Sequence, residues 1–218
     1  MKSVVSVIQQ KGGVGKTSLA VNLGYEIKRK HPDLYVVIAD ADPQQSASKW
    51  IARGLQNGFD ELKSVDISGH DNSSKHLKKK LSEIKADLII VDLPPAMESL
   101  SLRAALYSDL MLVPVGASAL DIEAAEPAID VCKEAQDLDQ AKQFLIVPSK
   151  IRSSTAAGKE IRMVLEELGP LAETSIGLRQ AFADASTSGE GIGTFAPKSK
   201  AHQEIQSLTN QVIKLLNN

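Results

Sequence analysis

The amino-acid sequence predicts an α/β fold, with a mostly parallel sheet of about seven strands and helices on both faces of that sheet. Short apolar runs rich in β-branched residues alternate along the chain with longer segments of helical period, which is typical of βαβ units. Several of these runs are apolar on both sides, as expected for strands covered by helices on both faces. The length of 218 residues and the hydrophobic fraction of 43% suit one domain, so we expect a single domain over residues 1–218.

The apolar runs place the strands in chain order. Five runs are strong, and they lie at Val4 to Ile8, Val36 to Asp40, Asp87 to Asp92, Leu110 to Val115 and Phe144 to Val147. Two weaker runs lie at Ser64 to Ile67 and Ala172 to Ile176. Helical periodicity between the runs predicts helices at 16–30, 45–56, 73–85, 99–107, 121–138, 155–168 and 201–216. Polar segments rich in turn-forming residues predict loops at Gly69 to Ser74 and at 186–199.

Charge and cysteine content exclude several classes of protein. The 25 Lys and Arg residues against 27 Asp and Glu give a net charge of −2, so any contact with nucleic acid must come from a local patch. No apolar stretch approaches the length of a membrane span, and we expect a protein that is neither secreted nor membrane-spanning. Cys132 is the only cysteine, which excludes a disulfide framework and fits a reducing cytoplasm.

The strongest motif is a glycine-rich loop between the first strand and the first helix. It has the composition of a phosphate-binding loop, in which backbone N–H groups and the helix N-terminus surround phosphate oxygens. Lys16 would reach the β- and γ-phosphates, and the Thr17 hydroxyl would bind Mg²⁺. A turn without a ligand is disfavoured, because two lysines would lie beside the positive end of a helix dipole. The predicted nucleotide-binding residues of the loop are Lys11, Gly12, Gly13, Val14, Gly15, Lys16, Thr17 and Ser18.

Carboxylates follow two of the predicted strands. The second strand leads into Asp40 and Asp42, and the strand 87–92 ends at Asp92 before two prolines. Ligands of open α/β sheets bind at the carboxyl ends of the strands, so we expect these side chains near the phosphate loop. Asp92 would hold Mg²⁺ through water, because this ion keeps much of its hydration shell. Of the first two carboxylates, one would help to hold hydrated Mg²⁺ and the other would orient an attacking water.

The run Lys-Gly-Gly-Val-Gly-Lys-Thr at 11–17 resembles the deviant Walker A motif of the ParA/MinD family of P-loop ATPases. The resemblance continues through Asp-Ala-Asp-Pro-Gln at 40–44 and the acidic strand end at 92, and more weakly along most of the chain. It implies that Lys11 acts across a dimer interface on the partner's nucleotide. It also implies that Asp42 positions water for hydrolysis, while Asp40 contacts Mg²⁺ or the phosphate loop. The position of the loop implies a small plasmid-type ParA without an N-terminal helix-turn-helix.

The same resemblance implies a weak ATPase that is stimulated by a partner. ATP and Mg²⁺ would be the cofactors, ATP would drive formation of a homodimer, and the dimer would bind non-specific DNA of the nucleoid in the cytoplasm. A ParB-like or other cargo adaptor would stimulate hydrolysis. The base would lie near Pro148 and Ser149. Basic positions that correspond to the family's DNA contacts are Arg152 with its neighbour Lys150, Arg179, Lys198 and Lys200.

Three alternatives carry the same phosphate loop or the same fold. A MinD-like membrane-associated ATPase would need a cationic amphipathic tail, but residues 212–218 contain one lysine and no basic face. The nitrogenase iron protein needs two cluster cysteines per subunit. Ligases like dethiobiotin synthetase lack the lysine found here at position 11. The basic run at 75–80 has apolar residues at helical spacing, so we expect its lysines on the solvent face of an amphipathic helix.

Overall fold

The computed structural model describes residues 2–59, 61–68, 76–95 and 98–217. Its centre is a sheet of six parallel strands in the order β3-β2-β4-β1-β5-β6. The strands are β1 (Ser3–Val7), β2 (Val36–Asp40), β3 (Lys63–Asp66), β4 (Leu88–Asp92), β5 (Leu110–Val115) and β6 (Gln143–Pro148). Parallel strands need crossover connections. Each connection that the structure describes in full contains at least one helix.

Helices cover both faces of the sheet, as the sequence predicts. The helices are α1 (Lys16–Lys30), α2 (Ser46–Gln56), α3 (Leu77–Glu83), α4 (Glu98–Tyr107), α5 (Ala119–Glu123), α6 (Glu126–Leu138), α7 (Ala156–Glu166), α8 (Gln180–Ser188), α9 (Ile192–Phe195) and α10 (Lys200–Leu216). Alternate residues of β1 belong to two separate cores: Val5 packs with residues of α1, α2 and α10, whereas Val4 packs with residues of α3, α4, α6 and α7. The apolar strands are therefore buried on both sides. Among the described residues, none of the helices combines the length and the apolarity needed to cross a bilayer.

The strand register brings the predicted site residues to one edge of the sheet. Asp40 of β2 lies opposite Asp92 of β4, and Asp92 in turn lies opposite Val7 at the end of β1. The glycine-rich loop follows Val7 and leads directly into α1. Because β1 has β4 on one side and β5 on the other, the loop emerges where the strand order reverses, which is where open α/β sheets bind ligands.

The prediction of a seventh strand at Ala172 to Ile176 is wrong. The chain here runs beside β6 and donates hydrogen bonds to it, but it forms no continuous strand: the bridges are two isolated ones at the ends of the segment, Ile146 with Leu171 and Ile151 with Gly177. The Ala172 N–H donates to the Ile146 carbonyl. In a parallel ladder, the next hydrogen bond along the chain would need an N–H donor at position 148. Pro148 has none, so the ladder is interrupted.

Helix boundaries also differ from the prediction at several places. The predicted helix 121–138 is two helices, because Pro127 lies in the first turn of α6 and cannot donate to a preceding carbonyl. The helix α8 was not predicted, and α9 lies inside the predicted loop 186–199. The predicted loop Gly69 to Ser74 lies outside the described residues, as do the first residues of the predicted helix 73–85.

Candidate nucleotide site

The phosphate loop forms an open cradle of backbone. Gly13 and Gly15 have φ values of 78° and 100°, in the left-handed region that only glycine adopts readily. A Cβ atom placed on Gly12 or Gly13 would meet no atom within 4 Å, so both residues face open space. Gly15 is the N-cap of α1 and has no side chain to occupy the helix N-terminus. Backbone N–H groups and the helix dipole are thus available to an anion.

Ser149 supports this loop from the end of β6. Its hydroxyl donates a hydrogen bond of 2.8 Å to the carbonyl of Val14, and the side chain is buried. The carbonyl of the adjacent Pro148 accepts the N–H of Ile176. The structure therefore places Ser149 beneath the phosphate loop, and a contact of Pro148 or Ser149 with a base stays a prediction.

Lys16 lies inside the cradle at the start of α1. Its ammonium donates to the carbonyl of Lys11 at 3.1 Å, and only 7% of the residue is exposed. Burial lowers the pKa of Lys16, while the charges of Asp92 and Asp42 partly counter this effect. A buried ammonium held in this way is suited to phosphate oxygens, which would offset its loss of hydration.

Asp92 is a buried carboxylate without a hydrogen-bond partner. Neither of its oxygens accepts a hydrogen bond of normal geometry within the described part of the chain, and the residue has no exposed surface. Burial raises its pKa to about 7, which the nearby Thr17 hydroxyl and Lys16 ammonium counter only in part. Buried polar atoms in proteins nearly always have partners, so this carboxylate indicates a ligand. Oxygen donors of this kind fit Mg²⁺, and Thr17 and Asp92 are the residues that would hold it.

Asp40 shapes the turn that carries Asp42. The two oxygens of Asp40 accept hydrogen bonds from the N–H groups of Asp42, at 3.1 Å, and of Ser48 in the first turn of α2, at 2.8 Å. Burial raises the pKa of Asp40 in spite of these bonds. Asp42 is half-buried and accepts the N–H of Gln44 at 2.8 Å. Asp40 thus fixes Asp42 and α2 in place, and its predicted contact with Mg²⁺ or with the loop remains a prediction.

Lys11 lies at the mouth of the loop, where its ammonium pairs with Asp121 in the first turn of α5. Asp121 was not among the residues predicted from the sequence. The pattern Ser118-x-x-Asp121, a reciprocal N-terminal capping pair in the structure, could have indicated a helix start there. It could not have indicated the contact with Lys11, because the two residues are far apart in the sequence.

A cavity of about 710 Å³ adjoins the phosphate loop. It begins at Gly15, Thr17 and Ser18 and extends between α2 and α8 to Trp50 and Phe182. The volume is typical of small-molecule sites, and the mixed apolar and polar lining suits a nucleoside. The far wall belongs to α8, so sequence reasoning missed this part of the site as well.

Four of the predicted DNA-contacting residues, namely Arg152, Arg179, Lys198 and Lys200, differ in whether their charge already has a partner. Arg152, Lys198 and Lys200 are exposed. Arg179 instead makes two hydrogen bonds to Glu204 of α10, one of them 3.0 Å from its Nε atom, and this pairing raises its pKa. Arg179 is therefore already neutralised by a carboxylate, and a role in DNA contact stays a prediction for all four.

The amino-acid sequence matches the family described as "CobQ/CobB/MinD/ParA nucleotide binding domain" over residues 5–192. The chain belongs to this family. The matched range includes the phosphate loop, Asp42 and Asp92, and it confirms the predicted ParA/MinD-type ATPase class.

Known proteins are similar to this chain in sequence and in fold. "Maintenance of carboxysome distribution protein A" from Gloeobacter kilaueensis is 38% identical over 122 residues, which cover 55% of this chain and about half, 51%, of that protein. "Sporulation initiation inhibitor protein Soj" from Bacillus subtilis is 22% identical over 97% of this chain and 98% of its own length. The solved structure of the septum site-determining protein MinD with Mg-ADP, from Pyrococcus horikoshii, has a TM-score of 0.76 at 16% identity and covers 99% of this chain and 98% of that one. The likeness to MinD confirms the α/β fold, with six strands rather than seven.

Proposed function

We propose that this protein is a ParA-type ATPase that positions a plasmid, a chromosome or another large cargo. ATP with Mg²⁺ closes two copies into a dimer, the dimer binds DNA non-specifically, and an adaptor on the cargo stimulates hydrolysis. The observation that carries the proposal is the unpartnered carboxylate of Asp92, which is buried beside Lys16 and Thr17 of an open phosphate loop. An anionic ligand with a divalent cation would satisfy both the cradle and the carboxylate.

The chain offers separate groups for each part of phosphoryl transfer. Backbone N–H groups of the loop and the ammonium of Lys16 would stabilise negative charge on the β- and γ-phosphates. Asp42 stands outside the loop, close enough to affect the Lys16 ammonium, and would orient the attacking water. Bound Mg²⁺ would supply positive charge that neutralises the phosphate oxygens.

The surface around Lys11 suits a dimer interface. Leu120 of α5 is 69% exposed and directly precedes Asp121, the partner of Lys11. An exposed leucine beside the mouth of the site would lose apolar surface to water when a second copy packs there. Lys11 would then reach the partner's phosphates, as an arginine finger does in other phosphoryl-transfer enzymes.

Non-specific DNA is the proposed binding partner of the dimer. The exposed ammonium groups of Lys198 and Lys200, at the start of α10, would neutralise backbone phosphates without reading bases. One related protein is named for carboxysome distribution, which supports a positioning role without identifying the cargo. A nucleoid-associated protein of the cytoplasm, working with a ParB-like or other adaptor, fits this role.

The test is binding of the purified protein to a non-specific DNA duplex with ATP, ADP or no nucleotide, over a salt titration. We expect binding that requires ATP, weakens as salt increases and is lost in Lys11→Ala. ATP binding without DNA binding under all conditions would contradict the DNA-based function. Sedimentation with anionic liposomes would then test the MinD-like alternative.

A further inference from the structure

Lys150, the second residue after β6, has a left-handed backbone. Its φ is 57°, and only Gln45 and Lys198 share a positive φ among the described residues other than glycine. L-residues adopt this conformation at a cost in free energy, and in proteins such residues are concentrated at functional sites. A functional role of Lys150 would account for this conformation.

The chain on both sides of Lys150 is fixed by hydrogen bonds. Ser149 is bonded to Val14 of the phosphate loop, as described above. Ile151 donates its N–H to the Ile176 carbonyl and accepts the N–H of Leu178, each at 3.0 Å. The backbone at position 150 is thus held between the phosphate loop and the segment that leads to α8.

The side chain of Lys150 extends over the phosphate loop. Its Cε atom lies 3.7 Å from the point where a Cβ on Gly15 would be, and the residue lines the cavity together with Thr17 and Ser18. No carboxylate lies within 4 Å of its ammonium in the part of the chain that the structure describes. Three other cationic residues line the cavity, and each has a partner. Arg179 pairs with Glu204, whereas Arg53 and Lys49 donate to the backbone carbonyls of Ser186 and Gln44, each at 2.8 Å. Lys150 therefore presents an uncompensated positive charge to the cavity.

We propose that Lys150 binds the α-phosphate of the nucleotide. This inference rests on the proposed function. Lys16, Asp42 and Asp92 lie on the side of the loop where the β- and γ-phosphates would bind, whereas the nucleoside fits the cavity beyond Ser18. The phosphate between these two regions is the α-phosphate, and it would lie beside Thr17 and Ser18 within reach of Lys150. The left-handed backbone keeps the ammonium over this position before the nucleotide arrives, which reduces the ordering cost of binding.

Calorimetric titration with Mg-ADP and Mg-ATP tests the proposal. Lys150→Met keeps most of the packing volume and removes the charge, so we expect both affinities to fall by the same factor of about ten. Lys150→Arg should keep affinities within about threefold of the unchanged protein. Lys159→Met, on an exposed face of α7 away from the cavity, makes the same change in net charge and should leave both affinities unchanged.

Lys150→Gly separates a ligand-binding role from a structural one. Glycine adopts a positive φ without strain, so the nucleotide-free variant should melt at or above the temperature of the unchanged protein and yet lose about tenfold in affinity. Unchanged affinities in Lys150→Met would overturn the proposal. If Lys150→Gly loses thermal stability while Lys150→Met binds both nucleotides normally, Lys150 has a structural role and the proposal is overturned. If the unchanged protein binds neither nucleotide, the proposed function fails too.

Discussion

The ammonium of Lys11 lies 2.6 Å from Oδ1 of Asp121, in an ion pair that is about one-third exposed on the lysine side and one-fifth on the aspartate side. Asp121 also accepts a hydrogen bond from the Ser118 hydroxyl at 2.6 Å, and together with that bond the Lys11 ammonium holds the pKa of Asp121 below its usual value, although burial opposes this. Lys11 must leave Asp121 if it is to reach the nucleotide of a partner subunit. Each subunit would thus break this ion pair when the dimer closes.

Asp121→Asn should therefore favour the ATP-bound dimer. Asparagine can still accept the hydrogen bond from Ser118, so α5 keeps its cap while Lys11 loses its ionic partner. A partly exposed ion pair is worth about 0.2 to 1 kcal/mol, which predicts a dimer dissociation constant lower by up to about fivefold per subunit. Sedimentation velocity with ATP would measure the change, and Lys11→Ala should fail to dimerise. A weaker dimer in Asp121→Asn would mean that the carboxylate assists closure.

Asp92→Asn should stabilise the nucleotide-free protein and abolish its response to Mg²⁺. The carboxylate is buried, and Thr17 and Lys16 offset the cost of burying its charge only in part, so an amide of the same shape removes a destabilising charge. We expect the free energy of unfolding in urea, measured at pH 8 with a chelator, to rise by about 1 to 3 kcal/mol. Mg²⁺ should then no longer strengthen ATP binding. Lower stability in this variant would indicate that Asp92 already has a favourable partner in the free protein.

Ser149→Ala tests whether this serine supports the loop or contacts the base. Loss of the bond to Val14 would loosen the phosphate loop, so we expect ATP and GTP to bind about three- to tenfold more weakly while the ratio of their affinities stays constant. Thr209→Val removes another buried hydroxyl, on α10 and outside the lining of the cavity, and should leave nucleotide affinity unchanged. A change in the ratio would favour the base contact that the sequence predicts.

The positions of the loop and of the strand-end carboxylates are predicted correctly because they depend on local sequence patterns. The loop at 10–17 follows one apolar strand and begins one helix, and Asp92 ends another strand. Their positions follow from strand boundaries alone, because parallel strands end at a common edge. The amphipathic helix at the basic run is also confirmed: Leu77 and Leu81 are buried, while Lys78 and Lys79 are exposed.

The parts that the sequence analysis missed depend on contacts between distant segments. Within α8, Ala185 is fully buried and Ala181 and Phe182 are partly buried against the same core, so the apolar stripe in the sequence is short. Its carboxyl end is held instead by donors from elsewhere in the chain. Arg53 donates to the Ser186 carbonyl at 2.8 Å, and the Trp50 indole donates to the Glu190 carbonyl at 3.1 Å. These hydrogen bonds cannot be predicted from the sequence of the segment itself.

Replacement of both Lys198 and Lys200 by alanine should weaken DNA binding by reducing its electrostatic component. Log affinity falls as log salt rises, and each phosphate contact that is lost should make this slope shallower by about 0.9. ATP affinity should be unchanged, because neither residue lines the cavity. The matched control is the double alanine variant of Lys78 and Lys79, two exposed lysines that lie on the opposite face of the sheet. An equal loss of DNA binding in the control would indicate a general charge effect rather than a patch on α10.

Glu26→Gln should destabilise the protein in a pH-dependent way. Glu26 is buried on α1 and accepts hydrogen bonds from Arg29 at 2.7 and 2.8 Å, and its Oε2 lies 3.2 Å from His202 at the start of α10. Burial alone would raise its pKa, but Arg29 and His202 together lower it below the ordinary value of 4.5. The folded state therefore favours the charged form. The stability from this group is fully present above about pH 4.5 and is lost as the pH falls through the lowered pKa.

Urea unfolding of Glu26→Gln and of the unchanged protein, from pH 7 down to pH 3, measures this linkage. We expect a difference of about 1 to 3 kcal/mol at pH 7, because charge-assisted hydrogen bonds to a buried carboxylate are lost. The difference should shrink below pH 4.5 as Glu26 takes up a proton in the unchanged protein. Glu83→Gln breaks an exposed ion pair with Lys79, 3.9 Å long, and should cost less than about 0.5 kcal/mol at any pH. A constant difference between pH 7 and pH 3 would mean that Glu26 stabilises the fold by its shape and not by its charge.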